Sequence, residues 1–271
     1  MEKQNQDDLK MAQNLGRIKH KLIVLSGKGG VGKSTVSVNL AYALSEKKYM
    51  VGLMDCDMHG PSIPKILGVE EKKPAPSPNG FHPIMITPNL KVMSIGFLLS
   101  DTDSPVIWRG PMKMGAIKQF IGDVEWGDLD YLIVDLPPGT GDEPLTIAQL
   151  IPKSDGAVIV TTPQDLALVS VRKSINFVKK MNMPVIGIIE NMSGFTCPHC
   201  HKEIDIFKTG GGLKASQDLQ VPFLGKIPLD PNIVVTGDIG EPFLTKHASS
   251  DASKAFVTIV EKIEQIVNQR R

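Results

Sequence analysis

Nine consecutive residues constrain the fold of this chain more than any other feature: Gly27-Lys28-Gly29-Gly30-Val31-Gly32-Lys33-Ser34-Thr35. They fit G-x-x-x-x-G-K-[ST] in the context that motif requires, directly after the β-branched run Lys21–Ser26 and directly before the helical stretch Lys33–Lys47. The glycines let the backbone curl so that successive N–H groups point inward at phosphate oxygens, and the helix start adds partial positive charge. In that arrangement Gly27 to Thr35 form an ATP phosphate cradle, Lys33 reaches the β and γ phosphates, and the Ser34 hydroxyl binds Mg²⁺.

The same letters admit a rival. Gly27, Gly29 and Gly32 also spell G-x-G-x-x-G, and Asp55 ends the next strand where a dinucleotide fold places its ribose-binding acid. Lys33 and Ser34 decide against it, since a dinucleotide fingerprint needs no such pair. A second phosphate-chemistry element agrees: Leu132-Ile133-Val134-Asp135 is an apolar strand ending in a carboxylate that can hold Mg²⁺.

Further short apolar runs alternate with helical stretches. Met50–Asp55, Lys91–Ile95, Tyr131–Asp135, Ala157–Thr162, Val185–Glu190 and Phe223–Ile227 read as strands; Glu143–Leu150, Asp165–Met181 and Gly212–Leu219 read as helices. Strands that are apolar throughout and alternate with helices predict an α/β fold, a mostly parallel sheet covered on both faces. Such sheets bind ligands at the C-terminal ends of their strands. The proline-rich stretch Glu70–Pro88 is expected to be a loop excursion. Residues 1–20 are expected to be a polar extension, with a single domain over 21–271. Near the C-terminus Phe256, Ile259, Val260, Ile263, Ile266 and Val267 fall on one helical face, opposite mixed charges, which predicts a helix docked on the domain.

Composition narrows the setting. With 30 basic and 29 acidic side chains the net charge is +1, so no whole-molecule field draws the chain to nucleic acid. Three Cys are too few and too odd for a secreted disulfide framework. Glu2, Asp7 and Asp8 without an apolar run argue against a leader, and nothing has the length of a membrane span. A cytoplasmic protein with no nucleic-acid and no membrane partner is expected.

Lys28 has no obvious use within one chain, because Lys33 already serves the phosphates. The pattern GKGGVGKST resembles the MinD/ParA class of P-loop ATPases, in which this early Lys crosses a dimer interface to the partner's nucleotide. The resemblance implies an ATP-sandwiched homodimer with Lys28 and Lys33 as catalytic cations. Asp55-Cys56-Asp57-Met58-His59-Gly60-Pro61-Ser62 resembles the switch I segment of the class, and Asp57 would position the attacking water. Asp135 to Asp142, DLPPGTGD, resembles switch II. Glu190-Asn191-Met192-Ser193 resembles the base-recognising segment, with Asn191 hydrogen-bonding adenine and Ile227-Pro228-Leu229-Asp230 packing beside it, so that Pro228 and Asp230 join the nucleotide site.

Cys197-Pro198-His199-Cys200 is a single C-x-x-C. Taken alone it leaves redox chemistry, half a zinc site, half an iron–sulfur site and an incidental turn open. His199 and His201 complete a Cys₂His₂ set only in poor geometry. A dimer changes the weighing, since a two-fold axis can join Cys197 and Cys200 of both chains into four thiolates. GKGGVGKST, DxDxxGPS, DLPPGTGD, ENMS and CPHC occur in the order found in the Mrp/ApbC/Nbp branch of the MinD/ParA class, over roughly residues 20–245. That resemblance implies an ATPase that carries a 4Fe-4S cluster bridged between subunits and passes it to apo-proteins. Some relatives bind another cluster on an N-terminal Cys extension, which is not expected here. A MinD/ParA-like positioning ATPase and a P-loop ATPase with structural zinc are the alternatives. Cys56 is read as a buried filler, and Arg109, in a further family-like stretch, receives no role.

Overall fold

A computed structural model describes residues 2–58, 60–98, 110–151 and 153–270. Helix α1 (Glu2–Gly16) leads into strand β1 (Ile18–Leu25), then α2 (Lys33–Glu46), β2 (Val51–Asp55) and the short α3 (Ile63–Ile66). The hairpin β3 (Ala75–Ser77) and β4 (Gly80–His82) precedes β5 (Ile84–Thr87), β6 (Leu90–Ser94), α4 (Gly110–Asp123) and β7 (Leu129–Asp135). There follow α5 (Asp142–Leu150), β8 (Gly156–Thr161), α6 (Asp165–Lys180) and β9 (Val185–Glu190). A second hairpin, β10 (Phe195–Thr196) and β11 (Glu203–Ile204), leads to α7 (Gly211–Leu219) and β12 (Phe223–Lys226). The chain closes through α8 (Pro231–Ile239), α9 (Phe243–Lys246) and α10 (Asp251–Gln269).

The main sheet has eight strands in the order β12-β9-β8-β1-β7-β2-β6-β5. Every neighbouring pair is parallel except β5 with β6. Past their first residues, where β1 carries Lys19 to Lys21 and β7 carries Asp130, the central strands are aliphatic without polar alternation, and β2 and β8 are buried at every residue. Such strands are stable only with both faces covered, which is the α/β arrangement expected from the sequence. β1 lies between β7 and β8 although the chain runs from β1 to β2, so the connections diverge beside it and open a crevice at the strand ends. In register, Val24 of β1 and Asp55 of β2 both align with Asp135 of β7. The polar strand ends Ser26, Asp55, Asp135, Thr161 and Glu190 are all buried at that edge.

Two expectations about the chain's periphery need correction. Residues 1–20 are not merely a polar extension: α1 packs on α4, Leu15 is buried, and Asn14 Nδ2 donates to the Gly122 carbonyl at 2.8 Å. Met11 and Leu15, one helical turn apart, supply its inward stripe within a mostly polar run. The stretch Glu70–Pro88 is not a plain loop, because it holds the β3–β4 hairpin and the antiparallel edge strand β5. Pro83 and Pro88 flank β5, and an edge position tolerates the missing N–H groups. The amphipathic C-terminal helix docks as expected: Phe256, Ile259, Val260, Ile263 and Val267 of α10 are buried, packed on α2, β9 and β12. Ser250 caps it by accepting from Ser253 N at 3.1 Å.

Candidate functional site

β1 ends at Leu25 and α2 begins at Lys33, so residues 26–32 must turn from the sheet into a helix start that faces the strand ends. Gly30 and Gly32 take φ of 77° and 78°, the left-handed region that disfavours side chains. Gly27 is required by space instead, since a Cβ there would stand 2.4 Å from the Ser170 carbonyl oxygen. Val31 turns inward and is buried, while Gly29 and Gly30 are exposed. The loop therefore presents backbone rather than side chains outward, the geometry in which N–H groups can wrap an anion.

Four charged or polar side chains meet beneath it. Lys33 Nζ lies 2.7 Å from Asp135 Oδ2, and Ser34 Oγ donates to the same oxygen at 2.6 Å. Asp57 Oδ2 stands 4.0 Å from Lys33 Nζ. The cluster carries opposite charges in a place almost closed to water, with Asp135 fully buried and Lys33 6% exposed. Asp135 Oδ1 has its own donor, Ser37 Oγ at 2.7 Å. Asp55 is also fully buried; burial and the neighbouring Asp135 carboxylate push it up to about 7, against Ser94 Oγ, the Asp57 N–H and Lys33. Burial likewise pushes the Cys56 thiol well up, as befits a packing residue.

The sequence-derived base segment arrives at the same loop from the far side. Asn191, Pro228 and Asp230 line a cavity of about 310 Å³ together with Gly32, Thr35 and Met192. Its size and mixed lining suit a small organic ligand. Asn191 Nδ2 donates to the Val31 carbonyl at 2.9 Å, tying this segment to the phosphate loop. Asp230 caps α8, accepting from Asn232 N at 2.9 Å. Lys28 stands apart from the Lys33 cluster, with Nζ 3.3 Å from Gln164 Oε1 at the start of α6.

Cys197 and Cys200 do not line that cavity. They occupy the turn of the β10–β11 hairpin, Cys200 exposed and Cys197 half-buried, where Cys197 N donates to the Lys202 carbonyl and His201 N to the Cys197 carbonyl. The backbone N–H groups of Cys200 and His199, then the Cys200 thiol, hold the Cys197 thiol below its ordinary pKa. That favours the thiolate, the form that binds metal. Among the described residues no group of three or more His, Cys, Asp or Glu is placed to hold a metal ion. Arg109 and His59 lie outside the described residues. No helix among the described residues is long and apolar enough to cross a membrane.

A glycine-rich turn between strand and helix, a buried Lys–Asp pair and a separate two-Cys turn on one α/β fold match a known combination. The ParA-type family model described as NUBPL iron-transfer P-loop NTPase covers residues 17–264. The chain belongs to this family. An iron–sulfur cluster carrier protein of Methanocaldococcus jannaschii is 56% identical over 261 residues, 96% of this chain and 90% of that protein. One of Methanococcus maripaludis is 49% identical over 267 residues, 98% of this chain and 91% of that protein. A nucleotide-binding protein of Archaeoglobus fulgidus, solved in complex with ADP and with cobalt, has a TM-score of 0.79 at 39% identity, covering 92% of this chain and 96% of its own. The septum site-determining protein MinD of Pyrococcus horikoshii, complexed with Mg-ADP, has a TM-score of 0.68 at 24% identity over 93% and 99% of the two chains, a likeness of fold.

Ser37, on Asp135, and Gln164, on Lys28, contact the expected site residues without having been singled out in the sequence. Ser37 follows Ser34 by three positions on α2, so it faces the same way, and its lack of solvent contact was the missing signal. Gln164 meets Lys28 only through a tertiary contact.

Proposed function

We propose that this protein is an ATP-hydrolysing homodimeric carrier that binds one 4Fe-4S cluster between subunits and transfers it to apo-proteins. The observation that carries the reading is the Cys pair: two thiols in an exposed hairpin turn, with no third ligand assembled beside them among the described residues. A cubane cluster usually takes four Cys ligands, so two copies of this turn complete the set. The iron–sulfur carriers to which this chain is similar along nearly its whole length support the choice of cargo. An exposed turn suits a cluster that is handed on rather than kept.

The nucleotide half of the mechanism follows from the buried cluster of charges. Ser34 Oγ and Asp135 Oδ2 are an oxygen-only donor set 2.6 Å apart, the chemistry Mg²⁺ prefers, and they would hold the ion. When bound, the ion neutralises charge on the β and γ phosphates. Lys33 exchanges its contact with Asp135 for phosphate oxygens while the loop N–H groups wrap them. Asp57, beside Lys33, orients and polarises the attacking water. Asn191 and Pro228 hold adenine in the cavity, and Asp230 fixes the start of α8 at its rim. Lys28, beside Gln164, reaches the partner subunit's nucleotide.

Cluster transfer tests this reading. Protein reconstituted anaerobically with iron and sulfide should activate an apo-protein that offers four Cys ligands, and Cys197→Ala should not. Tight binding of one zinc per chain, with no uptake of iron and sulfide, overturns it in favour of a P-loop ATPase with a structural metal.

A further inference from the structure

Glu190 ends β9 and is buried, yet nothing in the nucleotide chemistry uses its carboxyl group. Its oxygens are nonetheless fully engaged. Oε1 accepts from Ser193 Oγ and from Gly210 N at 2.9 Å, and Oε2 accepts from Gly212 N. Ser193 lies just before the segment that carries Cys197 and Cys200, and Gly210 just after it. One carboxyl group therefore closes the base of the whole Cys loop.

The geometry around it leaves little room to shift. Gly210 has φ of 84° and caps α7, whose N-terminal N–H groups favour a negative partner. A Cβ at Gly211 would stand 2.1 Å from the Pro163 carbonyl oxygen, and one at Gly212 would stand 3.0 Å from Glu190 itself. The returning leg can thus pass only as glycine. On the outgoing leg, Gly194 accepts from Leu229 N at 2.8 Å, and Leu229 lines the nucleotide cavity. The residue next to Glu190 is Asn191, whose backbone N–H donates to the Thr161 carbonyl and whose side chain holds the Val31 carbonyl of the phosphate loop.

We propose that Glu190 is the positioning residue of the Cys loop, and that through Glu190–Asn191 the loop is set by the same short segment that meets the nucleotide. This rests on the reading of Asn191 as the adenine contact. A shift of Asn191 on nucleotide binding moves the Glu190 carboxyl, and with it both legs of the hairpin. Glu190→Gln keeps the size of the side chain but puts an NH₂ group where one of the three donors must be accepted. That releases one leg without touching the cavity lining.

Amide hydrogen exchange of residues 195–209 with and without ADP, in metal-free protein, tests this. In the wild type ADP should change exchange in that segment by about five-fold or more, the lower end of ordinary coupling between sites. Glu190→Gln should bind ADP yet leave exchange there within about two-fold of its ADP-free value. Ser193→Ala, which removes only the outgoing-leg donor, should reduce the response in the same direction and serves if Glu190→Gln fails to fold. An undiminished ADP response in the variants, or none in the wild type, overturns the proposal. The readout needs no cluster, so a wild type that responds to ADP but takes up no iron would defeat the carrier reading and leave this one standing.

Discussion

Lys33 Nζ stands 2.7 Å from Asp135 Oδ2, and neither side chain is open to solvent. A buried pair of this kind is held by each partner's need for the other. Lys33→Ala should therefore do two things. It should abolish ATP turnover, and it should lower stability by about 3–5 kcal/mol because Asp135 keeps a buried charge without its cation. Adding Asp135→Asn to Lys33→Ala should restore much of the stability and none of the turnover. Denaturant unfolding beside an ATPase assay checks both. Turnover persisting in Lys33→Ala contradicts the assignment of the phosphate site.

Ser37 holds the other oxygen of the same carboxylate at 2.7 Å. Ser37→Ala should cost about 1–3 kcal/mol through the lost partner of a buried acceptor. It should also raise the Mg²⁺ concentration needed for half-maximal turnover, because Asp135 then loses the contact that fixes its Oδ1. A Mg²⁺ titration of ATPase rate reads this directly, and an unchanged midpoint removes Ser37 from the site.

Much of this site is legible in the sequence because it is local. Gly27 to Thr35 specify the turn by spacing, and Asp135 is marked by the apolar strand it ends. Asn191, Pro228 and Asp230 are far from the loop in sequence, and only the resemblance to a family placed them beside it; the cavity gathers them. What the sequence hid is tertiary or low in contrast. Met11 and Leu15 face inward in a mostly polar run whose other large apolar residue, Leu9, faces solvent, so no clear stripe marks α1 as docked. The strand β5 lies between prolines that argue against a strand unless it is at an edge. Glu190 reads as an ordinary strand end until the chain returns through Gly210 to Gly212.

Lys28 Nζ lies 3.3 Å from Gln164 Oε1, and the proposed role of Lys28 across a dimer has a direct test. Lys28→Ala should lose hydrolysis while single chains still bind nucleotide, and Asp57→Ala should bind ATP without hydrolysing it. Mixing the two inactive proteins should regain activity, since a mixed dimer contains one intact composite site. Mixed dimers that form and stay inactive at every ratio place Lys28 in its own subunit's site.

Asp55 should leave a signature in the pH dependence of stability. Burial raises it from its ordinary 3.8 to about 7, so between those values the folded protein holds a proton that the unfolded chain has lost. Its contribution is full below the unfolded pKa and is lost as pH rises through about 7. Thermal unfolding without nucleotide should show Tm falling from pH 5 to pH 8, and Asp55→Asn, which cannot titrate, should flatten that slope. An identical slope in the variant contradicts the buried, proton-holding state of Asp55.

The central claim is that Cys197 and Cys200 of two chains share one cluster. Iron and acid-labile sulfide, counted per dimer after anaerobic reconstitution and gel filtration, test it most directly. The wild type should hold about four iron atoms per dimer with a broad charge-transfer band, and Cys197→Ala and Cys200→Ala should each lose both while still binding ATP. Four iron atoms retained on monomers, or retained by either Cys variant, would contradict the shared site.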